Sequence, residues 1–259
     1  MESSHMLATE RHRRIVSELA RVRSVTTEDL VALLGVSAET VRRDLALLEG
    51  RGALDRVHGG ATAAHASVGE EAPFVERSRT HAAAKTAIGR AAAALVEPRQ
   101  TVVIDVGTTA LEVARALPHE YTGLVATPSL LVAAELSARP GVEVLVSGGR
   151  LRAGDLVCSN AQTVAFFTDL RADVAFVGSG GVDSRSGLTD YYLDEVATKR
   201  TILANSARRY VLADASKHGR AAAHRVCGLE GFDGLLTDGT PDRELVAALE
   251  RAGGSVIRA

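Results

Sequence analysis

Cysteine is scarce. Cys158 and Cys227 are the two in 259 residues, too few for a disulfide scaffold and without the spacing of a metal site. No apolar run is long enough to span a bilayer, and no charged-then-apolar signal peptide opens the chain. These absences set the expectations: no metal, no cofactor, no membrane, and a reducing cytoplasm as the location. Lysine is nearly missing as well. Three lysines (Lys85, Lys199, Lys217) stand against 27 arginines, which makes each lysine a position where a compact ammonium is worth asking about. Bulk positive charge is also lacking. The formal net charge is −2, and residues 1–62 hold nine Arg against nine Asp or Glu. Any nucleic-acid footprint must therefore come from how the arginines are arranged.

What is present has the balance of a globular chain, with room for one large domain or two smaller ones. Residues 1–5 (M-E-S-S-H) ahead of Met6 read as an appended remnant and are set aside. Glu10 to Ala20 is expected as a first helix, with Ile15, Val16 and Leu19 on its buried side. Thr26 then caps a second helix, with Asp29 three residues on in a capping-box-like arrangement. Leu30, Leu33 and Leu34 recur at helical spacing, and Gly35 supplies a left-handed turn. Ser37 caps a third helix whose inward stripe is Val41, Leu45 and Leu48. Its outward N-terminal half carries Ala38, Glu39, Thr40, Arg42 and Arg43. In a helix-turn-helix that half reaches base edges and phosphates. The following R-G-A-L-D-R-V-H-G-G-A reads as a basic β-ribbon. The expected DNA-contacting set is Ser37, Glu39, Thr40, Arg42 and Arg43, with Arg51, Arg56 and His58 from the ribbon. A helical hairpin with a solvated charged face is the plainer reading. The coincidence of turn glycine, Ser cap, paired arginines and ribbon favours DNA binding over it.

The expected division is a small winged helix-turn-helix domain at residues 7–62, a linker at 63–73 without strand or helix periodicity, and an α/β domain at 74–259. In the last, T-V-V-I-D (101–105) is a short, continuously apolar run, as expected of a strand buried on both faces. Similar runs at 124–127, 142–147, 173–178, 210–214 and 234–237 alternate with helical segments. That alternation predicts a mainly parallel sheet with helices on both faces.

Ligands of such sheets bind beyond the carboxyl ends of the strands. Asp105, Gly107, Thr108 and Thr109 lie at one such end. There a glycine permits close backbone approach and a helix start offers free N–H groups to a phosphate. Thr127, then Gly149 and Arg150, then Asp183 follow later strands. Lys217 lies in L-A-D-A-S-K-H-G (212–219), and Lys85 near a helix start is a second candidate cation. Taken singly, each glycine or threonine is ordinary turn punctuation. Together these ends can line one crevice. Lys199 is expected to pair with Glu195 at i,i+4 spacing.

With these residues in view the chain resembles the DeoR family of bacterial transcriptional regulators, from about Thr9 to Ile257. The resemblance rests on V-S-A-E-T-V-R-R-D-L, R-V-H-G-G-A, F-V-E-R (74–77), D-V-G-T-T (105–109), S-G-G-R-L (147–151), A-D-V-A-F-V-G (172–178), G-L-T (187–189), E-V-A-T-K-R (195–200) and L-A-D-A-S-K-H-G. It implies a regulator, usually a repressor, whose second domain looks like ribose-5-phosphate isomerase and senses a phosphorylated sugar. It also implies a homo-oligomer, dimer or tetramer, on a double-stranded operator. By similarity Gly107, Thr108 and Thr109 hold the phosphate, with Lys217 near the ligand. Val106, Thr127-Pro128 and Asp190-Tyr191-Tyr192 depart from the family pattern and bear on which sugar is read.

Two rival readings are an isomerase carrying a DNA-binding domain and a DNA-binding protein whose large domain only oligomerises. The first needs a carboxylate base. G-S-G-G-V-D (178–183) has small residues where the related isomerases place acids, leaving only Asp183 displaced along the chain and Asp105. Binding without catalysis is therefore expected.

Overall fold

The structure is a computed structural model that describes residues 6–22, 24–50, 53–57, 59–63 and 71–259. The chain divides into two compact units, Met1–Glu70 and Glu71–Ala259. Residues 64–70 of the expected linker lie outside the described residues, as do Arg51 and His58 of the expected ribbon.

The first unit runs α1 (Ala8–Val22), β1 (Ser24–Thr26), α2 (Thr27–Leu34), α3 (Ala38–Gly50), β2 (Leu54–Val57) and β3 (Gly60–Ala63). Thr26 and Asp29 form the expected reciprocal capping box, and Gly35 ends α2 in the left-handed region with φ 65°. Ile15, Leu19, Leu30, Leu34, Val41, Leu45, Leu48 and Leu54 close one core. Val16 was expected on the buried side of α1 but is exposed. It sits about 100° round the helix from Ile15, off the stripe that Ile15 shares with Leu19. Leu33 is likewise exposed. The ribbon is larger than a hairpin, because β3 pairs antiparallel with both β2 and β1. A side chain at Gly60 would stand 2.1 Å from the Val25 carbonyl oxygen, so the G-G of the ribbon motif is where β3 presses against β1.

α1 and α3 are also joined by charge. Asp44 of α3 accepts from Arg11 Nε (2.7 Å) and Nη2 (3.1 Å), and its Oδ1 lies 2.9 Å from His12 Nε2. Burial by itself would raise the Asp44 carboxyl; the hydrogen bonds from Arg11 and His12 outweigh it and hold the group below its usual value.

The second unit contains α4 (Phe74–Arg79), α5 (Ala82–Ala93), β4 (Thr101–Ile104), α6 (Thr108–Ala116), β5 (Gly123–Thr127), α7 (Leu130–Leu136), β6 (Val142–Val146), β7 (Leu151–Arg152), β8 (Val157–Cys158) and α8 (Ala161–Asp169). It continues through β9 (Ala172–Gly178), β10 (Gly181–Asp183), β11 (Gly187–Asp190), α9 (Leu193–Ala204), β12 (Ser206–Leu212), β13 (His224–Cys227), β14 (Gly234–Thr237), α10 (Arg243–Arg251) and β15 (Ser255–Arg258). Seven strands form one sheet in the order β15-β14-β12-β9-β4-β5-β6, and every pairing in it is parallel. The mainly parallel α/β sheet read from the sequence is present, with β15 as an additional edge strand. Two smaller antiparallel groups, β10-β11-β13 and β7-β8, were not expected.

The sheet is filled from both faces with the two-residue period of a strand. Val102, Ile104, Val174, Phe176, Leu212 and Leu236 pack with Ile88, Ala110 and Val132 of α5, α6 and α7. Their neighbours Val103, Ala175, Val177, Val211 and Leu235 pack with Phe167, Val196, Ile202 and Leu249 of α8, α9 and α10. The chain lays β5 and β6 on one side of β4, then returns to place β9 on the other and steps outward. The strand order thus reverses between β4 and β9, the position at which open α/β sheets form a ligand crevice.

Candidate DNA interface and ligand crevice

On α3 the buried positions Val41, Asp44, Leu45 and Leu48 leave Glu39, Arg42 and Arg43 exposed. Ser37 Oγ accepts from the Thr40 N–H at 3.3 Å and lies 3.0 Å from Thr40 Oγ1, so both residues serve the helix start. Arg43 Nε reaches Glu39 at 3.3 Å and Arg42 reaches it at 3.9 Å. The paired arginines share one acidic neighbour on an exposed helix face. Arg56 on β2 is exposed, 4.0 Å from Glu49. The geometry leaves these guanidinium groups free to exchange a weak surface pair for phosphate or a base edge.

Because the sheet is parallel, the carboxyl ends of β4, β9 and β12 share one edge. At β4 the backbone turns at Gly107, φ 110°, directly into α6. A residue with a Cβ is strained in that conformation. Thr108 and Thr109 then open α6, whose first N–H groups have no partner within the helix. After β12, Asp214 caps a single 3-10 turn (Ala215–Lys217) by accepting from the Ser216 N–H at 3.0 Å, which sets the course of Lys217. The Lys217 ammonium has no hydrogen-bond acceptor and no ion pair within 4.0 Å among the described residues. It lies 5.9 Å over the Tyr191 ring. Burial, with Arg220 and Arg77 nearby, depresses its pKa, opposed by the charges of Glu71 and Asp214.

Between β4 and β9 lies a buried charge cluster. Asp105 Oδ2 accepts from the Gly178 N–H (3.0 Å) and from Lys199 Nζ. Lys199 also lies 3.3 Å from Asp190 Oδ2. Burial alone would lower the Lys199 ammonium; Asp105, Asp190 and Glu195 together outweigh it and keep the group charged. The expected Lys199–Glu195 pair is replaced: Lys199 serves Asp105 and Asp190, while Glu195 is met by Arg152 Nη1. Glu195 Oε1 is buried, with the Arg152 guanidinium against it and no further polar partner among the described residues. Burial and the Asp190 charge push the Glu195 carboxyl up to about 8, against the pull of Lys199 and Arg152. Arg152 lies 3.7 Å over the Tyr192 ring and also holds Asp155, which in turn stands 3.6 Å from Arg77; Arg77 finally reaches Glu71 at 2.8 Å. One chain of charges therefore runs from Glu71 through Arg77, Asp155 and Arg152 to Glu195.

The remaining sequence-derived residues fall in several places. Lys85 is buried, and its ammonium donates to the carbonyls of Arg77 and Thr80 (2.8 Å), tying the end of α4 to α5. Thr127 is fully buried, its hydroxyl oxygen accepting from the Ser129 N–H at 3.0 Å. Gly149 abuts Asn160 and Thr163 at the start of α8. Arg150 is exposed and paired with Asp194 at 2.9 Å. Asp183 closes the β10–β11 hairpin by accepting from the N–H groups of Arg185 (3.0 Å) and Ser186 (2.9 Å). The structure thus brings Asp105, Gly107, Thr108, Thr109 and Lys217 to one edge and uses Asp183 and Arg150 elsewhere. None of Glu71, Arg77, Arg152, Asp190, Tyr191 and Glu195 was among the expected effector-binding residues; Glu195 was read only as a partner of Lys199, and Asp190 and Tyr191 only as departures from the family pattern. The F-V-E-R and E-V-A-T-K-R motifs contain two of them and were the available signal.

The DeoR-like helix-turn-helix domain model matches residues 11–67, and the DeoR C terminal sensor domain model matches residues 80–239. The HTH-type transcriptional regulator GlpR of Haloferax volcanii is 36% identical over 97% of this chain and 98% of its own length. The glycerol-3-phosphate regulon repressor of Escherichia coli K12 is 33% identical over 94% and 96%. Among solved structures, ribose 5-phosphate isomerase A from Methanocaldococcus jannaschii aligns over 53% of this chain and 55% of its own, with 17% identity and a TM-score of 0.40. Two successive domain models and full-length relatives above 30% identity agree: the chain belongs to the DeoR family of transcriptional regulators.

Proposed function

We propose that this protein represses transcription by binding a double-stranded operator through α3 and the β2–β3 ribbon, and that a small phosphorylated sugar or polyol controls that binding from the strand-end crevice of the sensor domain. The observation that carries the reading is Lys217. A half-buried ammonium with no bonded counter-ion among the described residues, on the same sheet edge as the glycine turn and the start of α6, is a seat prepared for an anion. Curated relatives named as repressors of a glycerol-3-phosphate regulon point to the same chemical class of effector.

The ligand is bound, not turned over. A general base must reach a substrate proton. Asp105 is sealed against Lys199 and the Gly178 amide, and Asp183 is committed to a hairpin turn. Ser37, Glu39, Thr40, Arg42, Arg43 and Arg56 form the DNA-facing set, joined in sequence by Arg51 and His58. The protein acts as a homo-oligomer in the cytoplasm, so that two winged domains meet two half-sites, and ligand shifts the population between DNA-competent and incompetent forms.

Fluorescence anisotropy on a duplex from the gene's own upstream region, titrated with sugar and polyol phosphates at fixed salt, tests this. The expected result is sequence-dependent binding reversed by one of the phosphates, with Lys217→Ala binding DNA normally and ignoring the ligand. Turnover of a phosphate by the protein would replace this reading with the isomerase one.

A further inference from the structure

Resting on the crevice just assigned, we infer that Glu71 is an internal counter-anion of that site. Its carboxylate pairs with Arg77 beside that site, and it must release the guanidinium for phosphate to bind.

Four observations carry the inference. The Glu71 side chain is 12% exposed and pairs with Arg77 Nη1 at 2.8 Å. Its charge acts on Lys217 more strongly than any other charge there, and it is in turn drawn down by Lys217 and Lys199. No hydrogen-bonding anion reaches Lys217 among the described residues, and Glu71 with Asp214 supplies the negative charge that acts on it. The Arg77 guanidinium has partners besides Glu71. Its Nε donates to the Ala72 carbonyl at 2.8 Å, its Nη2 faces Asp155, and the guanidinium lies 5.7 Å over the Phe74 ring. A cation fixed by three other contacts is ready to change its fourth partner.

The exchange is favourable on general grounds. A buried carboxylate carries a desolvation penalty that a single ion pair only partly offsets, and burial is the main influence on Glu71, pushing its carboxyl up. A phosphate brings nearly two charges and three strong acceptor oxygens to the same cations. Glu71 is also the first residue of the sensor unit in chain order. Whatever moves it therefore moves the start of the segment leading back to the helix-turn-helix domain. The competitor sets the affinity of the site and reports its occupancy along the chain.

Calorimetric titration of the full-length protein with inorganic phosphate tests the inference, with hydrogen exchange followed over residues 71–80. If Glu71 occupies the site about nine-tenths of the time, Glu71→Gln and Glu71→Ala bind phosphate about tenfold tighter than the parent. In the parent, saturating phosphate raises exchange at the Arg77 amide, which is bonded to the Pro73 carbonyl at 3.0 Å. In the variants that amide exchanges fast with or without phosphate. Lys217→Ala loses phosphate binding. Should both Glu71 variants, folded by circular dichroism, bind no tighter while Lys217→Ala still loses binding, the crevice stands and the counter-anion is refuted. Should Lys217→Ala bind as the parent does, the crevice assignment itself falls, and the inference with it.

Discussion

Lys199 Nζ meets Asp105 Oδ2 at the point where the strand order of the sheet reverses, and both side chains are almost wholly sealed from solvent. The two residues lie 94 positions apart in sequence. The pair ties the end of β4 to α9, while the Gly178 N–H donated to the same oxygen ties it to β9.

Removing the cation leaves Asp105 and Asp190 buried without their shared partner. Lys199→Met is expected to cost about 3–5 kcal/mol in urea unfolding, and adding Asp105→Asn should return part of it. A loss below about 1 kcal/mol for the single variant would mean the cluster is neutralised by protonation instead.

Glu195 gives the fold an uncommon pH response. Its folded value of about 8 lies above the ordinary 4.5, so between those limits the folded chain holds a proton that the unfolded chain has lost. Its contribution is therefore full below the ordinary carboxyl value and declines as pH rises toward 8. Glu195→Gln should flatten the fall in unfolding free energy between about pH 5 and 8. Identical slopes for the variant and the parent would refute the assignment.

Asp44 behaves with the opposite sign. Arg11 and His12 hold its carboxyl below the usual value, so its contribution is present above that value and disappears as pH falls through the depressed one. Asp44→Ala should lower the stability of the N-terminal unit by about 3 kcal/mol at pH 7, and the deficit should narrow in acid. A deficit that stays constant down to pH 3 would assign the effect to lost packing.

Glu39 and Arg43 should separate affinity from specificity. Arg43→Ala is expected to weaken operator binding by about 1–3 kcal/mol if Arg43 reads a base. Glu39→Ala frees both Arg42 and Arg43, so it should tighten binding to unrelated DNA and steepen its salt dependence. Operator and random duplexes titrated at several salt concentrations distinguish the two, and an unchanged random-DNA affinity for Glu39→Ala would remove the acid from the interface.

The features legible in the sequence were those whose causes are local. Thr26 with Asp29, Gly35 and Ser37 act within one turn of chain, and all appear where the spacing placed them. The apolar strand runs were equally plain, because a strand buried on both faces needs no partner to be recognised. Long-range charge was not legible. An i,i+4 rule assigned Lys199 to Glu195, whereas the ammonium reaches from α9 to Asp105 at the end of β4 and to Asp190 of β11. The series Glu71, Arg77, Asp155, Arg152, Glu195 is contiguous only in space. Asp183 and Arg150 show the converse: both stand near strand ends in sequence, but a hairpin turn takes one and a surface pair the other. β15 escaped notice because S-V-I-R is four residues long and becomes a strand only by pairing with β14.

An entirely parallel sheet also dictates an order of events during synthesis. No two of its seven strands are joined by a hairpin, and the Asp105–Gly178 contact that aligns β4 with β9 spans 73 residues. While the ribosome is still making the intervening helices, the V-V-I of β4 has an open edge facing the side that β9 will fill. Slow, non-local closure of this kind leaves apolar strand edges exposed to other chains. The N-terminal unit has no such wait, since its described contacts close within residues 6–63. A nascent chain therefore carries a finished DNA reader ahead of an unfinished sensor, and aggregation during expression is expected to begin at the edge of β4.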